Sequence, residues 1–191
     1  MALTQPAPAL LGRAHCGDEA AFAELVRAYQ TPVFNYVYRL VGNRALAEDL
    51  TQDVFLRVHQ GLARFTLRAK FTTWLFQITK NRVLDEFRSR ERRPQSASSI
   101  EDAGLVFLDP SPEDAELIDA LWRAIAALPT DLKTALLLRD VVGMPYLEIA
   151  ETLEISLANV KWRIFRARED VGRRLDDEGV GPTSRMARTA T

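Results

Sequence analysis

The amino-acid sequence predicts an all-α protein with two small helical domains joined by a flexible acidic linker, the second containing a helix-turn-helix. Apolar residues recur at three- and four-residue spacing through both halves of the chain, which is the period of amphipathic helices. Seven acidic residues and no basic residue fall between positions 101 and 119, close to prolines and serines, and this composition is typical of a linker. No β-strand is needed to account for the apolar pattern.

Length and composition restrict the class of protein. At 191 residues the chain can form one domain or two compact ones, and a hydrophobic content of 47% is enough to bury a core. Its single cysteine, Cys16, excludes an internal disulfide framework and fits a reducing cytosol. Because no apolar run approaches about 18 residues and the N-terminus lacks the pattern of a signal peptide, we expect a cytoplasmic protein with no membrane insertion.

Changes in composition along the chain place the domain boundaries. Prolines without a helical period predict a loose N-terminal arm, and glycine, proline, threonine and serine without a period predict a frayed tail. The helical domains lie between these ends, on either side of the acidic linker. We therefore expect a loose arm at residues 1–17, a helical domain at 18–93, the linker at 94–115, a second helical domain at 116–175 and a frayed tail at 176–191.

Four helices are predicted in the first domain. Asp18 is a good N-cap for the first, and Pro32 can begin the second, which Gly42 ends. The third starts near Arg44 and stops at Gly61. Its inward positions are apolar and its other side is acidic, so it is expected to lie at the surface of the domain.

The fourth predicted helix spans residues 71–93 and changes its apolar face partway. One stripe of apolar residues ends before Lys80, and the next apolar stripe lies on nearly the opposite side of the helix. Nine basic and three acidic residues fall between positions 64 and 93, so the polar flank is positive. Aromatic residues and cations together are typical of a surface that binds single-stranded nucleic acid. A core helix with a solvated charged end explains the periodicity equally well.

The second domain contains a helix-turn-helix pattern at residues 146–168. Six basic and two acidic residues between positions 157 and 175 give its second helix the positive charge needed in a major groove. A purely structural helical hairpin is the alternative. Glu154 stands where the turn often has glycine, and a left-handed backbone there costs roughly 1–2 kcal/mol.

Catalytic chemistry is not indicated. The two histidines and one cysteine form no set of ligands at metal spacing, and there is no glycine-rich phosphate loop or nucleophile–base pattern. We therefore predict a protein that is not an enzyme, with no catalytic residue, cofactor, metal or small-molecule substrate.

Three segments together resemble the sigma-70 family of bacterial RNA polymerase sigma factors, and more narrowly its short extracytoplasmic-function (ECF) type. They are AEDLTQDVFLRV at residues 47–58, the helix at 71–93, and residues 128–168, in this order with a linker between. The resemblance implies a factor that binds core RNA polymerase and directs promoter recognition and opening. Its implied partners are core RNA polymerase, promoter DNA and an anti-sigma factor.

The same resemblance assigns roles to individual residues. The implied core-polymerase contacts are Asp49, Gln52, Asp53 and Leu56, although an acidic solvated face is the simpler explanation without the resemblance. The implied contacts to the −10 element are Trp74, Lys80, Asn81, Arg82, Arg88 and Arg92, with Asn81 at a pocket for a flipped base and Trp74 somewhat better suited to the core. The implied contacts to the −35 element are Ser156, Asn159, Lys161, Trp162, Arg163 and Arg166, where Trp162 replaces the usual small polar residue.

Two other classes of binding protein fit parts of the sequence. A dimeric helix-turn-helix transcriptional regulator that acts without polymerase docking explains residues 146–168 but gives residues 71–93 no role. An all-helical adaptor for another protein would lack the steep salt dependence of DNA binding.

Overall fold

The computed structural model describes residues 3–92 and 112–181, with side chains from residue 115 onward in the second range. These residues form eight α-helices and no β-strand, which confirms the predicted all-α class. Most of the predicted linker, and the predicted tail after residue 181, lie outside the described residues.

Four helices build each domain. In the first domain they are α1 (Pro8–His15), α2 (Glu19–Val41), α3 (Arg44–Leu62) and α4 (Phe71–Glu91). In the second they are α5 (Pro112–Ala126), α6 (Thr130–Asp140), α7 (Tyr146–Leu153) and α8 (Leu157–Asp177).

Local capping interactions start three of these helices. The side chain of Asp18 accepts a hydrogen bond from the amide of Ala21 at 3.0 Å, and Asn43 accepts one from Leu46 at 2.8 Å. Ser156 accepts one from the amide of Asn159 at 3.2 Å. Each bond satisfies an amide that the helix itself leaves without a partner, so these short polar residues fix where α2, α3 and α8 begin.

The N-terminal segment corrects the prediction of a loose arm at residues 1–17. Helix α1 packs on α2 and buries Leu11 and Ala14, and Nδ1 of His15 lies 2.8 Å from the carbonyl oxygen of Leu62. Ahead of α1, the hydroxyl of Tyr29 donates to the carbonyl of Thr4 at 2.7 Å. An eight-residue helix shows too few turns for its period to stand out in the sequence, so only these long-range contacts reveal it.

Helix α2 corrects the prediction of a helix start at Pro32. The helix runs without a break from Glu19 to Val41, with Pro32 inside it. Val33, Tyr36 and Val37, which follow the proline, are fully buried in the same core as Leu25. Their burial outweighs the one hydrogen-bond donor that the proline lacks.

The two domains pack against each other mainly where α2 meets α6 and where α4 meets α7. On the first pair, Tyr36 of α2 is fully buried. Nearby, the guanidinium of Arg39 lies 3.4 Å from the ring centroid of Trp122 in α5, which is close enough for a cation–π interaction. On the second pair, α7 contacts one side of α4, while α2 and α3 of the first domain contact another. Helix α4 is therefore covered on two sides.

The turn between α7 and α8 has the strained backbone predicted for Glu154. Its φ of 58° is the one positive value at a non-glycine position in the described residues. The amide of Ile155 donates to the carbonyl of Ala150 at 3.1 Å, and the amide of Glu154 donates to that of Glu151 at 3.3 Å. These two bonds define a Schellman turn, whose left-handed position glycine fills at least cost.

We expect Glu154→Gly to raise the free energy of unfolding by about 1 kcal/mol and the melting temperature by about 2–4 °C. The reason is removal of the left-handed strain. Glu151→Gly, at an exposed position inside α7, is the matched control and should be destabilising by about 1 kcal/mol. Thermal unfolding followed by circular dichroism checks both. An unchanged or lower midpoint for Glu154→Gly would contradict the assignment of strain.

Candidate nucleic-acid interface

Helix α3 carries an exposed stripe with both acidic and apolar members. Its inner positions, such as Leu50 and Val54, are buried against the rest of the domain. On the other side Asp49, Gln52 and Leu56 are exposed at helical spacing, and Leu56 is 61% exposed. A leucine this exposed beside a carboxylate and an amide fits a surface that contacts another protein.

Asp53 lies at the edge of this stripe and binds Arg82 of α4. Nε of Arg82 donates to Oδ2 of Asp53 at 2.9 Å, and Nη1 donates to Glu86 at 3.3 Å. The Arg82 side chain is only 18% exposed. Burial alone would lower the pKa of Arg82, but the hydrogen bonds to the two carboxylates raise it. In this arrangement Arg82 joins α3 to α4 rather than pointing into solvent.

Three of the residues predicted to contact the −10 element lie at the surface of α4 or at its C-cap. Asn81, Arg88 and Arg92 are exposed and follow one another at seven- and four-residue spacing, so they share one face. Arg88 pairs with Asp85 on the same face at 3.3 Å, a contact that solvent weakens. This face can present an amide and two cations to a polymer of phosphates.

Trp74 and Lys80 lie apart from that face. Trp74 is half-buried, and its ring lies 4.7 Å from that of Phe65, as the core alternative requires. A Cβ added at Gly61 would lie 3.0 Å from the Trp74 ring, so α3 and α4 approach closely here. Lys80 is 8% exposed, and its Nζ donates to the carbonyl of Thr152 in α7 at 3.1 Å.

The helix-turn-helix consists of α7 and α8. Val160 and Ile164 anchor α8 in the core of the second domain. Ser156 caps the helix, Asn159 is half-buried, and Lys161 is exposed beside Trp162, which is 57% exposed. The exposed side of α8 therefore carries a cation and a large aromatic ring.

The two arginines predicted on the same helix have acidic neighbours. Nε of Arg163 lies 3.7 Å from Asp131 of α6, and the Arg163 side chain is 22% exposed. Arg166 donates to Glu169 at 2.6 Å and also lies near Asp170. The hydrogen bond to Glu169 raises the pKa of Arg166. DNA would have to compete with these carboxylates for both guanidinium groups.

Phe165 is a candidate that the sequence analysis missed. It lies about one turn after Trp162 and is 67% exposed, outside the buried stripe of α8. Its three-residue distance from Trp162 was the available signal, since both residues fall outside the apolar period of the helix.

Within residues 3–92 and 112–181 no group of three or more His, Cys, Asp or Glu residues is placed to hold a metal ion. None of the helices in that part of the chain combines the length and apolar character needed to cross a membrane.

Comparison with known families decides between the function classes. The family model described as Sigma-70 region 2 matches residues 25–93, and that described as Sigma-70, region 4 matches residues 118–171. This chain is a sigma factor of the sigma-70 family. The match to region 2 includes α4, a helix to which a dimeric helix-turn-helix regulator would give no role. The dimeric regulator is therefore not favoured. Neither match is to a family of enzymes.

Individual relatives specify the ECF type. The chain is 33% identical to the ECF sigma factor SigW of Bacillus subtilis over 174 residues, covering 84% of this chain and 92% of that protein. It is 34% identical to the ECF sigma-E factor of Escherichia coli K12 over 173 residues, covering 85% and 90%. The structure of CnrH in complex with the cytosolic domain of CnrY has a TM-score of 0.70 at 26% identity, covering 89% and 97%. As an ECF sigma factor, the protein binds RNA polymerase and recognises promoters.

The partly buried position of Arg82 between two carboxylates predicts a structural contribution. Arg82→Gln should reduce the free energy of unfolding by about 1–2 kcal/mol because it breaks charged hydrogen bonds to α3. Arg88→Gln, on the same helix but with a side chain that is 66% exposed, should change it by less than about 0.5 kcal/mol. Urea denaturation measures both, and equal losses would refute the distinction.

Proposed function

We propose that the first domain docks on core RNA polymerase through the α3 stripe formed by Asp49, Gln52 and Leu56, with Asp53 at its edge. The observation that carries this proposal is the exposure of Leu56 beside acidic and amide groups, on a helix whose other face is fully packed. Burying such a leucine on a partner contributes about 1.5–3 kcal/mol, and the carboxylate adds orientation and selectivity.

The exposed face of α4 is the proposed contact to the −10 element. Asn81 has the donors and acceptor needed to hydrogen-bond an extruded base, and Arg88 and Arg92 on the same face carry charge for neighbouring phosphates. Extruding a base costs a few kcal/mol, and stacking it on protein returns about 1–3 kcal/mol. One small domain can therefore trap an opened base but needs polymerase contacts to open a longer segment.

The exposed face of α8 is the proposed contact to the −35 element. Ser156 and Asn159 lie at its first turn, and Lys161 and Trp162 follow on the side away from the core. Lysine can pair with phosphate or guanine, while an aromatic ring contacts the methyl group of thymine. Arg163 and Arg166 would join this contact after exchanging their carboxylate partners for DNA.

An anti-sigma factor is a further proposed partner. It is supported by the similarity to CnrH, whose structure was determined in complex with the cytosolic domain of CnrY. The protein is proposed to have no catalytic activity of its own, since the chemistry of transcription belongs to the polymerase. Because its proposed partner acts on the genome, its proposed location is the cytoplasm.

Docking is tested with purified core RNA polymerase. The double variant Asp49→Lys/Leu56→Ala should weaken the complex at least about tenfold because it removes the apolar anchor and reverses the charge beside it. Glu24→Lys, an equal charge reversal at an exposed position of α2, should leave affinity unchanged. Size-exclusion co-elution and fluorescence titration give the comparison. Equal affinities for the double variant and the wild type would refute docking through α3.

The role of Asn81 is tested in the assembled holoenzyme. Asn81→Ala should reduce open-complex formation about tenfold while core affinity stays the same, because the amide acts on the extruded base only. Permanganate reactivity of unpaired thymines reports opening on a promoter mapped from the transcripts of the wild-type holoenzyme. Gln30→Ala, an exposed amide on α2, is the control. Normal opening with Asn81→Ala would remove the residue from the site.

A further inference from the structure

The contact between the two domains contains a buried carboxylate that the roles described above do not use. Glu148 belongs to α7 of the second domain and is 8% exposed. Its Oε1 accepts a hydrogen bond from Nζ of Lys70 at 2.9 Å, and its Oε2 accepts one from the hydroxyl of Thr72 at 3.1 Å. A carboxylate this deeply buried stays charged only where a cation and further donors compensate for the lost water.

The two donors belong to the first domain and lie where α4 begins. Lys70 is the N-cap residue of α4, and Thr72 is in its first turn. The Gln5 side chain is also bonded to the Thr72 hydroxyl, and its Oε1 accepts from the Thr72 amide at 3.3 Å. The hydrogen bond to Glu148 raises the pKa of Lys70, so the lysine remains a cation. The first domain thus presents a charged donor and a hydroxyl at the spacing of two oxygens of one anion.

We propose that Lys70 and Thr72 bind a phosphate of the single-stranded promoter backbone, and that Glu148 occupies this site while the domains are packed together. The proposal rests on the function proposed for α4. A phosphodiester also offers two anionic oxygens on one centre, so the same donors can accept it in place of the carboxylate. The site lies about 15 Å along α4 from Asn81, at about 1.5 Å per residue, on the same helix.

Other bonds at this interface involve the same stretch of α4. Nζ of Lys80 donates to the carbonyl of Thr152, and the Gln77 amide donates to the carbonyl of Glu151 at 3.0 Å. Separation of α7 from α4 would therefore expose Lys80 together with Lys70. We call the chain closed when α7 is packed on α4 and open when the two are separated. In the closed chain, DNA and the helix-turn-helix domain compete for the surface formed by Lys70 and Thr72. The apparent affinity for a single strand is then the affinity of the open chain multiplied by the fraction of chains that are open.

The test is binding of a fluorescein-labelled 20-nucleotide oligothymidylate to the full chain, followed by anisotropy. Glu148→Gln removes the competing charge and should tighten binding about tenfold. Glu116→Gln makes the same change at an exposed position of α5 in the same domain, away from the contact between α7 and α4. It should bind like the wild type.

Lys70→Ala distinguishes phosphate binding by Lys70 from its contact with Glu148 between the domains. If Lys70 only held the domains together, its loss would tighten binding as Glu148→Gln does. Because it also binds phosphate, the variant should bind no more tightly than the wild type. The slope of log affinity against log salt should be less negative than that of Glu148→Gln by about 0.7, as expected for one lost phosphate contact.

Domain opening is measured separately. Spin labels at Cys16, the exposed cysteine of the first domain, and at an introduced Arg174→Cys report the distance between the domains. Longer distances in Glu148→Gln, and in the wild type after addition of oligothymidylate, are expected. The proposal is overturned if Glu148→Gln binds like the wild type, or if Lys70→Ala binds as tightly as Glu148→Gln. The function proposed for α4 is tested separately, with Asn81→Ala in the holoenzyme on a promoter, so failure of that function and failure of this proposal are distinguishable.

Discussion

The packing of helix α4 on two sides is the constraint on which the rest of the structure depends. Phe71, Leu75 and Phe76 bury its first half in the core of the first domain, while Gln77 and Lys80 reach across to α7. A helix enclosed in this way has no single apolar stripe, which explains why its hydrophobic residues change face along the sequence. Only the second half is left with a polar exposed face.

Because α4 is enclosed on two sides, some of its polar residues are bonded to other parts of the protein, while others are exposed to solvent and free to contact a partner. Arg82 is committed to the carboxylates of Asp53 and Glu86, and Lys80 to a backbone carbonyl of the other domain. Asn81, between them in sequence, points outward because one residue along a helix rotates the side chain by about 100°. Three consecutive polar residues therefore have three different environments, which a count of charges along the segment does not distinguish.

Sequence reasoning predicted features that depend on local chemistry. Capping by Asp18 and Gly42, and the left-handed backbone at Glu154, follow from one or two neighbouring residues and agree with the structure. Helix α1, the continuous α2 and the contact between Glu148 and Lys70 depend on partners far apart in the chain. No local pattern carries that information, so these features required the folded structure.

The segment ahead of α1 has a practical consequence for anyone who handles this protein. Thr4 is held by the hydroxyl of Tyr29, and Gln5 is bonded to the first turn of α4 beside Lys70. A purification tag fused before Leu3 would therefore emerge next to the surface where nucleic acid is expected to bind. A polyhistidine tag there adds imidazoles that attract phosphate when protonated, so it would distort affinity measurements in a way that depends on pH.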